Sequence, residues 1–578
     1  MSSAARRRAP SLRLPAWRSR LLQALLVACF AALAGRTLYL QGLHNDFLQQ
    51  KGESRYTRVV DISATRGRIV DRNDEPLAVS TPVESVAASP ADVDATPRQL
   101  ARLARLLGLK RSELKRRLAD TRREFVYLKR QLAPEDAARV VAQGVPGVFL
   151  QREYRRYYPA GEVTAHLIGF TDVDDRGQEA LELAFNKVLA GQPGSRRVIK
   201  DRLGQIVEDV EIIRTPRDGS TLRLSIDARI QYLAYRELKS AVVEHRAKAA
   251  GIVVLDVETG EVLAMANVPS FNPNNRGKLD PRRTRNRAVT DLFEPGSTLK
   301  PFTVAAALEA GAVKPESVIQ TAPGQLAIGN RVIRDAHPQG ALTVAQVIQK
   351  SSNIGTAKMA LGMEPERLWA LFNEVGFGTA PRSGFPGEGS GKLRAPRTWR
   401  PIEQATISYG HGISVSLLQL ARAYLIFATE GELRPLALVK RQLPPESRRV
   451  ISPKTARQVR RMLEMVVQPG GTAIRAQIAG YRVAGKTGTS HKLAGGSYAA
   501  DRYISSFVGF APASRPRLIV AVMLDEPTAG QHFGGVVAAP VFARVVAGGL
   551  RLLAVEYDAP VDNVALPPAD GPVIKEEV

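Results

Sequence analysis

The stretch EPGSTLK, residues Glu294–Lys300, sets a serine hydroxyl one helical turn before a lysine amine. Pro295–Gly296 is a turn dipeptide, and apolar residues at helical spacing follow from Phe302. Ser297 and Lys300 are three residues apart, so they project from the same helix face. The amine can take the hydroxyl proton while the helix N-terminus holds a developing oxyanion. The pair is therefore a candidate nucleophile and base.

Two further motifs follow this pair and give it weight. A lone Ser-x-x-Lys pair is weak, because the chain holds a second one at Ser112–Lys115, in a charged helical run typical of solvated surface. Downstream of Lys300, however, Ser351–Asn353 reads SSN and Lys486–Thr489 reads KTGT. This ordered trio is the signature of penicillin-binding proteins and serine β-lactamases. The candidate site residues are Ser297, Lys300, Ser351, Asn353, Lys486, Thr487, Gly488 and Thr489.

The chain is strongly basic and almost free of cysteine. Of its 578 residues, 81 are Lys or Arg and 56 are Asp or Glu, which gives a net charge of +25. This excess fits nucleic acid, an anionic membrane surface or an anionic polymer, but no nucleic-acid motif accompanies it. The single cysteine, Cys29, excludes an intramolecular disulfide and a cysteine-based metal site. We predict no metal, no cofactor and no nucleic-acid partner.

An apolar stretch near the N-terminus predicts a membrane anchor. Residues 1–20 carry six arginines and no acid, and Leu21–Leu40 is almost wholly apolar. About 20 residues span a bilayer, and the positive-inside rule makes the basic tail cytoplasmic and everything after the span extracytoplasmic. The alternative is a signal peptide cleaved near Ala32–Ala34. The apolar run continues beyond Arg36, which favours an anchor that is retained.

Residues 60–216 predict an elongated α+β module without chemistry of its own. Alternating apolar residues around a polar turn in Arg66–Ala78 predict a β-hairpin. Thr96–Gln99 opens a helix with a capping box and a proline at its first position. One face of this helix is apolar and the other carries arginines, which we interpret as a solvated face rather than a binding groove. A turn at Pro216–Gly219 marks the boundary.

Residues 221–555 predict a second α+β domain, a mainly antiparallel sheet packed against helices. The chain exceeds one ordinary domain in length, and strand patterns recur throughout this half. Four strand patterns form two hairpins, Gly251–Asp256 with Glu261–Met265 and Ile504–Phe510 with Leu518–Leu524.

The downstream motifs fall at the ends of predicted elements. Leu342–Lys350 predicts a helix, so Ser351 and Asn353 are expected on the connection beyond it. Arg482–Gly485 leads into Lys486 as a strand. The proline-rich residues 557–578 predict a disordered tail.

Across most of residues 60–550 the chain resembles the class B penicillin-binding proteins, and most closely their division-specific FtsI type, also called penicillin-binding protein 3. One position departs from the family, because Ala180 stands where glycine is usual. Outside the three motifs the resemblance is carried by Arg66–Arg72, Tyr158–Gly161, His166–Phe170, Gly191–Gly194 and Asp201–Asp209, of which the last two point to the division branch.

The resemblance implies a peptidoglycan D,D-transpeptidase that cross-links stem peptides of the septal wall. Ser297 would attack the carbonyl of the penultimate D-alanine and release the terminal D-alanine. Lys300 would be the base, and Ser351 would relay the proton to the leaving amine. An amine from a second stem peptide would then resolve the acyl-enzyme.

The resemblance also implies how the donor peptide is held. Asn353 would hold Lys300 and the substrate amide. Lys486 would attract the terminal carboxylate and help to keep Lys300 neutral. Thr487 and Thr489 would hydrogen-bond the donor, and Gly488 permits close approach of its backbone. The backbone N–H groups of Ser297 and Thr489 would form the oxyanion hole.

The partners and location that the resemblance implies are those of the cell envelope. The partners would be lipid-linked and nascent peptidoglycan stem peptides, β-lactams as substrate mimics, the glycan polymerase FtsW and other division proteins. The chain would cross the bacterial inner membrane once, with a periplasmic catalytic domain at the division septum.

Three alternatives stay open. The chain could be an elongation-type class B penicillin-binding protein, or a D,D-carboxypeptidase or β-lactamase-like hydrolase of the same fold. A hydrolase needs a base that activates water, and no carboxylate for that role can be located from sequence. A catalytically silent scaffold is the third alternative, and the intact trio argues against it.

Overall fold

The chain folds into two compact units. One unit comprises Met1–Ala64, Val83–Glu153 and Gln192–Arg217, and the other comprises Thr65–Pro82, Tyr154–Gly191 and Asp218–Val578. The computed structural model describes residues 16–40, 57–200, 206–277, 279–443, 445–494 and 497–565. Most of the basic tail, the Asp201–Gln205 part of the family resemblance and the last stretch of the predicted tail lie outside these residues.

The chain passes from the first unit to the second between Arg217 and Asp218, within the predicted turn Pro216–Gly219, but the residues before this turn do not all belong to one unit. Segments 65–82 and 154–191 share the large hydrophobic core of the second unit, to which they contribute Leu77, Leu167 and Leu181. The long-range pairing of these short apolar segments leaves no mark in local sequence composition. The residues before Asp218 are therefore divided between the two units.

An N-terminal helix runs over Ala16–Leu38 with none of its residues buried. Its 23 residues exceed the roughly 20 that a bilayer requires. The helix begins before the apolar run at Leu21, because arginine is a good helix former and Arg18 and Arg20 continue the helix. A second apolar helical stretch, Gly534–Leu552, is 56% buried and belongs to the core of the second unit.

The first unit contains a three-stranded antiparallel sheet, in which Thr57–Ile62 and Ile206–Arg214 both pair with Gly194–Lys200. The predicted capping box at Thr96 is confirmed, with Pro97 in the first turn. A separate small core holds Leu103, Leu114, Leu128 and Val140. The helices and strands around it are Pro97–Leu106, Arg111–Leu118, Val126–Leu132 and Pro134–Val141.

The N-terminal segments of the second unit contain the predicted hairpin. Ile69–Val70 pairs antiparallel with the start of the strand Pro76–Ala88 and parallel with Leu222–Arg223. The strand Val148–Tyr157 also pairs with Pro76–Ala88. The short helices of this part are Ala165–Ile168, Ala180–Ala184 and Asn186–Leu189.

A five-stranded antiparallel sheet is the centre of the second unit, as predicted. Its two middle strands Ala249–Asp256 and Leu518–Asp525 are buried at almost every position, which explains their continuous apolar sequences. The helices Ala228–Glu244 and Ala539–Leu552 pack against each other and against strands of the sheet. The strand order is Val262–Val268, Ala249–Asp256, Leu518–Asp525, Ser497–Ala511 and Ala484–Ala494.

A helical layer surrounds the stretch that opens the sequence. Its helices are Arg287–Thr290, Lys300–Glu309, Val344–Lys350, Asn353–Leu361, Pro365–Glu374, Pro401–Ser408, Leu417–Ala423, Leu425–Ala428, Pro453–Val466 and Gly534–Val537. Short strand pairs join them: Val318–Gln320 with Ala341–Thr343, Gln325–Ile328 with Arg331–Arg334, and Glu432–Leu433 with Arg448–Arg449. The helix predicted from Leu342 begins only at Val344, because the residues before it pair as a strand.

The prediction of a disordered tail from Tyr557 is wrong for the described residues. The ring of Tyr557 packs on Tyr481 with centroids 5.0 Å apart. Asp558 accepts from the Arg482 backbone N–H at 2.7 Å and from the Ser514 hydroxyl at 2.6 Å. Composition alone favoured disorder, but these contacts, together with the hydrogen bonds of Asn563 with Gly480 and Tyr481, hold this stretch in place. Residues 566–578 lie outside the described residues.

Candidate active site

Ser297 lies in a tight turn that is fixed from several sides. Gly296–Leu299 forms one 3₁₀ turn and Lys300–Glu309 continues as an α-helix, with Pro301 in its first turn as predicted. Gly296 has φ +54°, a left-handed conformation that glycine adopts without strain. The buried Tyr424 hydroxyl donates to the Thr298 carbonyl at 2.7 Å. Ser297, the candidate nucleophile, is thus held on a rigid support and is only 8% exposed.

Lys300 is fully buried and contacts the second motif. Its amine donates to the Ser351 carbonyl and lies 3.0 Å from the Ser351 hydroxyl. Ser351 caps the C-terminus of the helix Val344–Lys350 with φ +61°, where glycine is the usual residue. A serine in this conformation is strained, and strain of this kind concentrates at functional sites.

Lys486 approaches the same hydroxyl from the sheet. Its amine lies 2.9 Å from the Ser351 hydroxyl and 3.2 Å from the Thr487 hydroxyl, and its side chain is fully buried. The strand Ala484–Ala494 that carries it is the edge strand of the central sheet. One serine hydroxyl therefore lies between two buried lysine amines.

Gly488 brings this edge strand against the nucleophile turn. A side-chain Cβ at Gly488 would lie 2.8 Å from the Pro295 carbonyl oxygen and 2.9 Å from the Thr298 methyl, so only glycine fits. Two residues further along the same strand, the Ser490 hydroxyl donates to the Glu294 carbonyl at 3.0 Å. The three motifs, far apart in sequence, thus meet at one place.

Asn353 is not on the connection where it was expected. It is the first residue of the helix Asn353–Leu361, because Ser352 caps that helix by accepting from the Gly355 backbone N–H. The Asn353 amide donates to the Arg334 carbonyl at 3.1 Å. Asp335, which the sequence did not single out, accepts from the Ser352 hydroxyl and the Asn353 backbone N–H at 2.6 Å each.

The threonine hydroxyls of the third motif form hydrogen bonds with other groups of the protein. The Thr487 hydroxyl lies 2.8 Å from the Thr472 hydroxyl, and the Thr489 hydroxyl accepts from the Gly534 backbone N–H at 3.1 Å. Both side chains are buried. Their expected hydrogen bonds to a donor peptide stay a prediction.

A carboxyl and imidazole pair beside the nucleophile turn was missed. Glu294 accepts from the Gly412 backbone N–H at 2.8 Å and from the Tyr498 hydroxyl at 3.0 Å, and burial raises its pKa. His411 Nδ1 lies 3.4 Å from Glu294. Burial lowers the pKa of His411 to about 4. Residues this far apart in sequence form no local motif.

The described part of the chain contains no candidate metal site. No three His, Cys, Asp or Glu side chains lie there in an arrangement that could hold a metal ion. The polar groups around Ser297 include amines, hydroxyls and amides, which suit acyl transfer through a serine.

Two family models match the chain. The penicillin-binding protein transpeptidase domain matches residues 250–547, and the penicillin-binding protein dimerisation domain matches residues 61–224. The first match contains all three motifs. Both modules together are those of a class B penicillin-binding protein.

Individual proteins show the same relationship. The chain is 44% identical over 545 residues to the probable peptidoglycan D,D-transpeptidase PenA of Neisseria gonorrhoeae, covering 94% of both chains. It is 42% identical over 549 residues to the peptidoglycan D,D-transpeptidase FtsI of Escherichia coli K12, covering 94% of this chain and 93% of the other. The solved transpeptidase domain of Burkholderia pseudomallei penicillin-binding protein 3 matches with a TM-score of 0.54 and 49% identity, over 58% of this chain and 98% of that one. The chain therefore belongs to the class B penicillin-binding proteins, of the FtsI type.

Proposed function

We propose that this protein is a serine-type peptidoglycan D,D-transpeptidase whose acyl-enzyme forms on Ser297. The observation that carries the proposal is the Ser351 hydroxyl, 3.0 Å from the Lys300 amine and 2.9 Å from the Lys486 amine. Its substrates are the stem peptides of peptidoglycan, and β-lactams bind as mimics of them. The relatives named as D,D-transpeptidases support this activity.

Lys300 is the base of acylation. Full burial disfavours its charged form, and the ammonium of Lys486 on the far side of Ser351 disfavours it further. A neutral Lys300 amine accepts the Ser297 hydroxyl proton as the oxygen attacks. In this proposal Lys300 is neutral and Lys486 is charged, although both are fully buried and both contact one hydroxyl.

Acylation exchanges one bond for another at the penultimate D-alanine. The Ser297 oxygen forms an ester with its carbonyl carbon, and the bond from that carbon to the terminal D-alanine nitrogen breaks. The leaving nitrogen takes the Ser351 hydroxyl proton, and Lys300 restores it with the proton that it took from Ser297. The backbone N–H groups of Ser297 and Thr489 hold the oxyanion of the tetrahedral intermediate.

The donor peptide lies along the sheet edge. Ala484–Ala494 is an edge strand, and an extended peptide can add to such an edge through backbone hydrogen bonds. Lys486 attracts the terminal carboxylate, and Asn353 orients the substrate amide. Gly488 keeps the strand clear of side chains where the nucleophile turn approaches. Thr487 and Thr489 complete the donor site.

The second half of the reaction consumes the ester. An amine of a second stem peptide attacks the acyl carbon and gives one proton to Lys300, the ester bond breaks, and Lys300 passes that proton to the Ser297 oxygen. The product is a new amide, the cross-link. The ester conserves the reactivity of the original amide until the amine arrives.

Hydrolysis of the acyl-enzyme competes with its transfer to an amine. The buried carboxyl group of Glu294 is the feature that favours hydrolysis. This buried carboxyl group lies three residues before Ser297 and has a raised pKa, as a group that activates water requires. Its hydrogen bonds from Gly412 and Tyr498 give it a structural role as well. Release of label from penicillin-acylated enzyme separates the two: stable label supports transfer to an amine, and rapid release supports hydrolysis.

The same proposal places the enzyme in the envelope. The apolar helix Ala16–Leu38 fits a single membrane anchor. We assign the arginine-rich N-terminus to the cytoplasm and the catalytic domain to the periplasm, at the division septum, with FtsW and other division proteins as partners. The FtsI-named relatives support the division role. Depletion followed by microscopy tests it, since filaments indicate division and round cells indicate elongation.

The domain limits belong to the proposal too. We assign a tail at 1–20, an anchor at 21–40, a non-catalytic module at 60–216 and a transpeptidase domain at 221–555. The family models at 61–224 and 250–547 support the two larger assignments.

Labelling with fluorescent penicillin tests the site assignment. Ser297→Ala and Lys300→Ala are expected to abolish covalent labelling while thermal unfolding stays cooperative. The exposed pair Ser112 and Lys115 has the same spacing and supplies the matched controls Ser112→Ala and Lys115→Ala, which should label normally. Normal labelling of Lys300→Ala would remove that residue as the base, and labelling of Ser297→Ala would remove the nucleophile.

A further inference from the structure

Two consecutive helices of the first unit, Pro97–Leu106 and Arg111–Leu118, present a strongly basic outer face. Residues 97–118 hold eight basic residues and one acid, Glu113, which pairs with Arg117 at 2.6 Å. The inner residues Leu103, Leu107 and Leu114 are buried in the core of that unit. Within the two helices themselves six basic side chains are exposed, and we call them the basic surface: Arg98, Arg102, Arg105, Arg111, Lys115 and Arg116.

The charge of the basic surface is uncompensated. Within the described part of the chain, no Asp or Glu oxygen lies within 4.0 Å of any of its six basic groups. The nearby Arg122 and Arg123, in contrast, both pair with Asp120. Like charges crowded on one face repel each other and destabilise the folded state. A partner that supplies negative charge would relieve this repulsion.

Helix electrostatics account for only part of this pattern. Arg105 and Arg116 lie in last turns, where a positive charge is favourable. Arg98 and Arg111 lie in first turns, where the helix dipole makes a positive charge unfavourable. Solubility does not explain them, because acidic residues promote it more effectively than basic ones.

We propose that the basic surface, part of which the sequence pattern alone indicated to be a solvated face, binds a polymer with repeated carboxylates, the stem-peptide-bearing wall itself. This step rests on the proposed function, which puts the surface on the periplasmic side. Five of the six side chains are arginines, and the planar guanidinium binds a carboxylate through two parallel hydrogen bonds. The enzyme would then have a second hold on its polymer, separate from the active site.

An anionic lipid surface fits the same charge less well. Helices that lie on lipid insert large apolar side chains into the acyl boundary. The leucines of these two helices are buried or half-buried, so none of them is free to insert. The lipid surface is therefore the competing outcome of the test rather than the expected one.

The test is sedimentation of full-length protein with purified wall sacculi. The protein is first acylated with penicillin, so that the active site cannot hold stem peptides. We expect it to pellet with sacculi in low salt and to be released as salt rises, because screening weakens exposed charge pairs. Sacculi whose carboxylates have been amidated should not retain it.

The variant for this test is the triple change Arg98→Glu, Arg102→Glu and Arg116→Glu. We expect it to lower the affinity for sacculi about 100-fold, in line with the worth of basic side chains at anionic surfaces. A matched triple of exposed arginines in the second unit, Arg397→Glu, Arg461→Glu and Arg515→Glu, has the same net charge and should bind like the wild type. Penicillin labelling should be unchanged in both.

Three results would overturn the inference. These are equal binding of the two triple variants, full binding to amidated sacculi, and stronger binding to phosphatidylglycerol vesicles than to sacculi. Failure of the proposed function would be seen separately, as wild-type protein that penicillin does not label.

Discussion

The hydroxyl of Ser351 reaches to within 3.0 Å of the Lys300 amine from a backbone conformation that only glycine adopts freely. Its φ of +61° lies in the left-handed region, which costs other residues about 1–2 kcal/mol. The strain is tolerated because the same geometry sets this hydroxyl between two lysines. A substitution by glycine at this position would therefore keep the backbone conformation and remove only the hydroxyl.

Ser351→Gly should keep the fold and lose the chemistry. Glycine accepts the left-handed conformation, so the thermal midpoint should stay or rise, whereas the rate of penicillin acylation should fall about 100-fold. Ala554→Gly, at φ +52° away from the site, is the control that changes only the backbone. Acylation of Ser351→Gly at the wild-type rate would show that the hydroxyl relays no proton.

Ala180→Gly should stabilise the protein by about 1 kcal/mol. Ala180 has φ +50°, at the position where the resemblance to the family implies a glycine. Chemical denaturation compares the variant with Ala184→Gly in the same short helix, which should destabilise by a similar amount. Equal effects of the two changes would contradict the strain at Ala180.

Asp175→Asn should flatten the pH dependence of stability. Burial raises the pKa of Asp175 to about 6 from 3.8, against the lowering effect of the Arg156 and Arg66 guanidinium groups. The folded state therefore binds this proton more tightly, and its contribution is lost as pH rises from about 4 to 6, by roughly 3 kcal/mol at most. The variant should be more stable than wild type at pH 7.5.

Two buried histidines make the stability of the folded protein depend on pH in the opposite direction. The variant must therefore be compared with the wild type. Burial lowers the pKa of His166 and His411 to about 4, so their contribution is lost as pH falls below about 6.5. Denaturation curves of both proteins between pH 4 and 8 isolate Asp175. Parallel curves would show that Asp175 does not titrate in this window.

A protein that starts at Gln41 should be soluble and should still bind penicillin. It lacks the helix Ala16–Leu38, whose side chains are exposed throughout, and keeps all of the second unit and the part of the first unit from Gln41 onward. Gel filtration and fluorescent penicillin check the two parts of this expectation. A monomeric truncated protein that is not labelled would show that the catalytic domain depends on the anchor.

The sequence predicts the strands and the three motifs well, and the contacts between distant residues poorly. The run leading into Lys486 and the capping box at Thr96 depend on local patterns, and both are confirmed. Asp335 and Glu294 carry no local pattern, because each acquires its role from a residue that only the fold brings near. Asn353 was misplaced for a similar reason: a single serine cap starts a second helix where a connection was expected.

Tyr557 and Asp558 return to the residues that precede the lysine-bearing edge strand. A premature stop codon just after Val555 would remove both, leave the Tyr481 ring uncovered and free the backbone at Arg482. Such an allele would delete no motif and would still be expected to lower the yield of active enzyme. A fusion tag appended after Val578 leaves the contacts of Tyr557 and Asp558 in place.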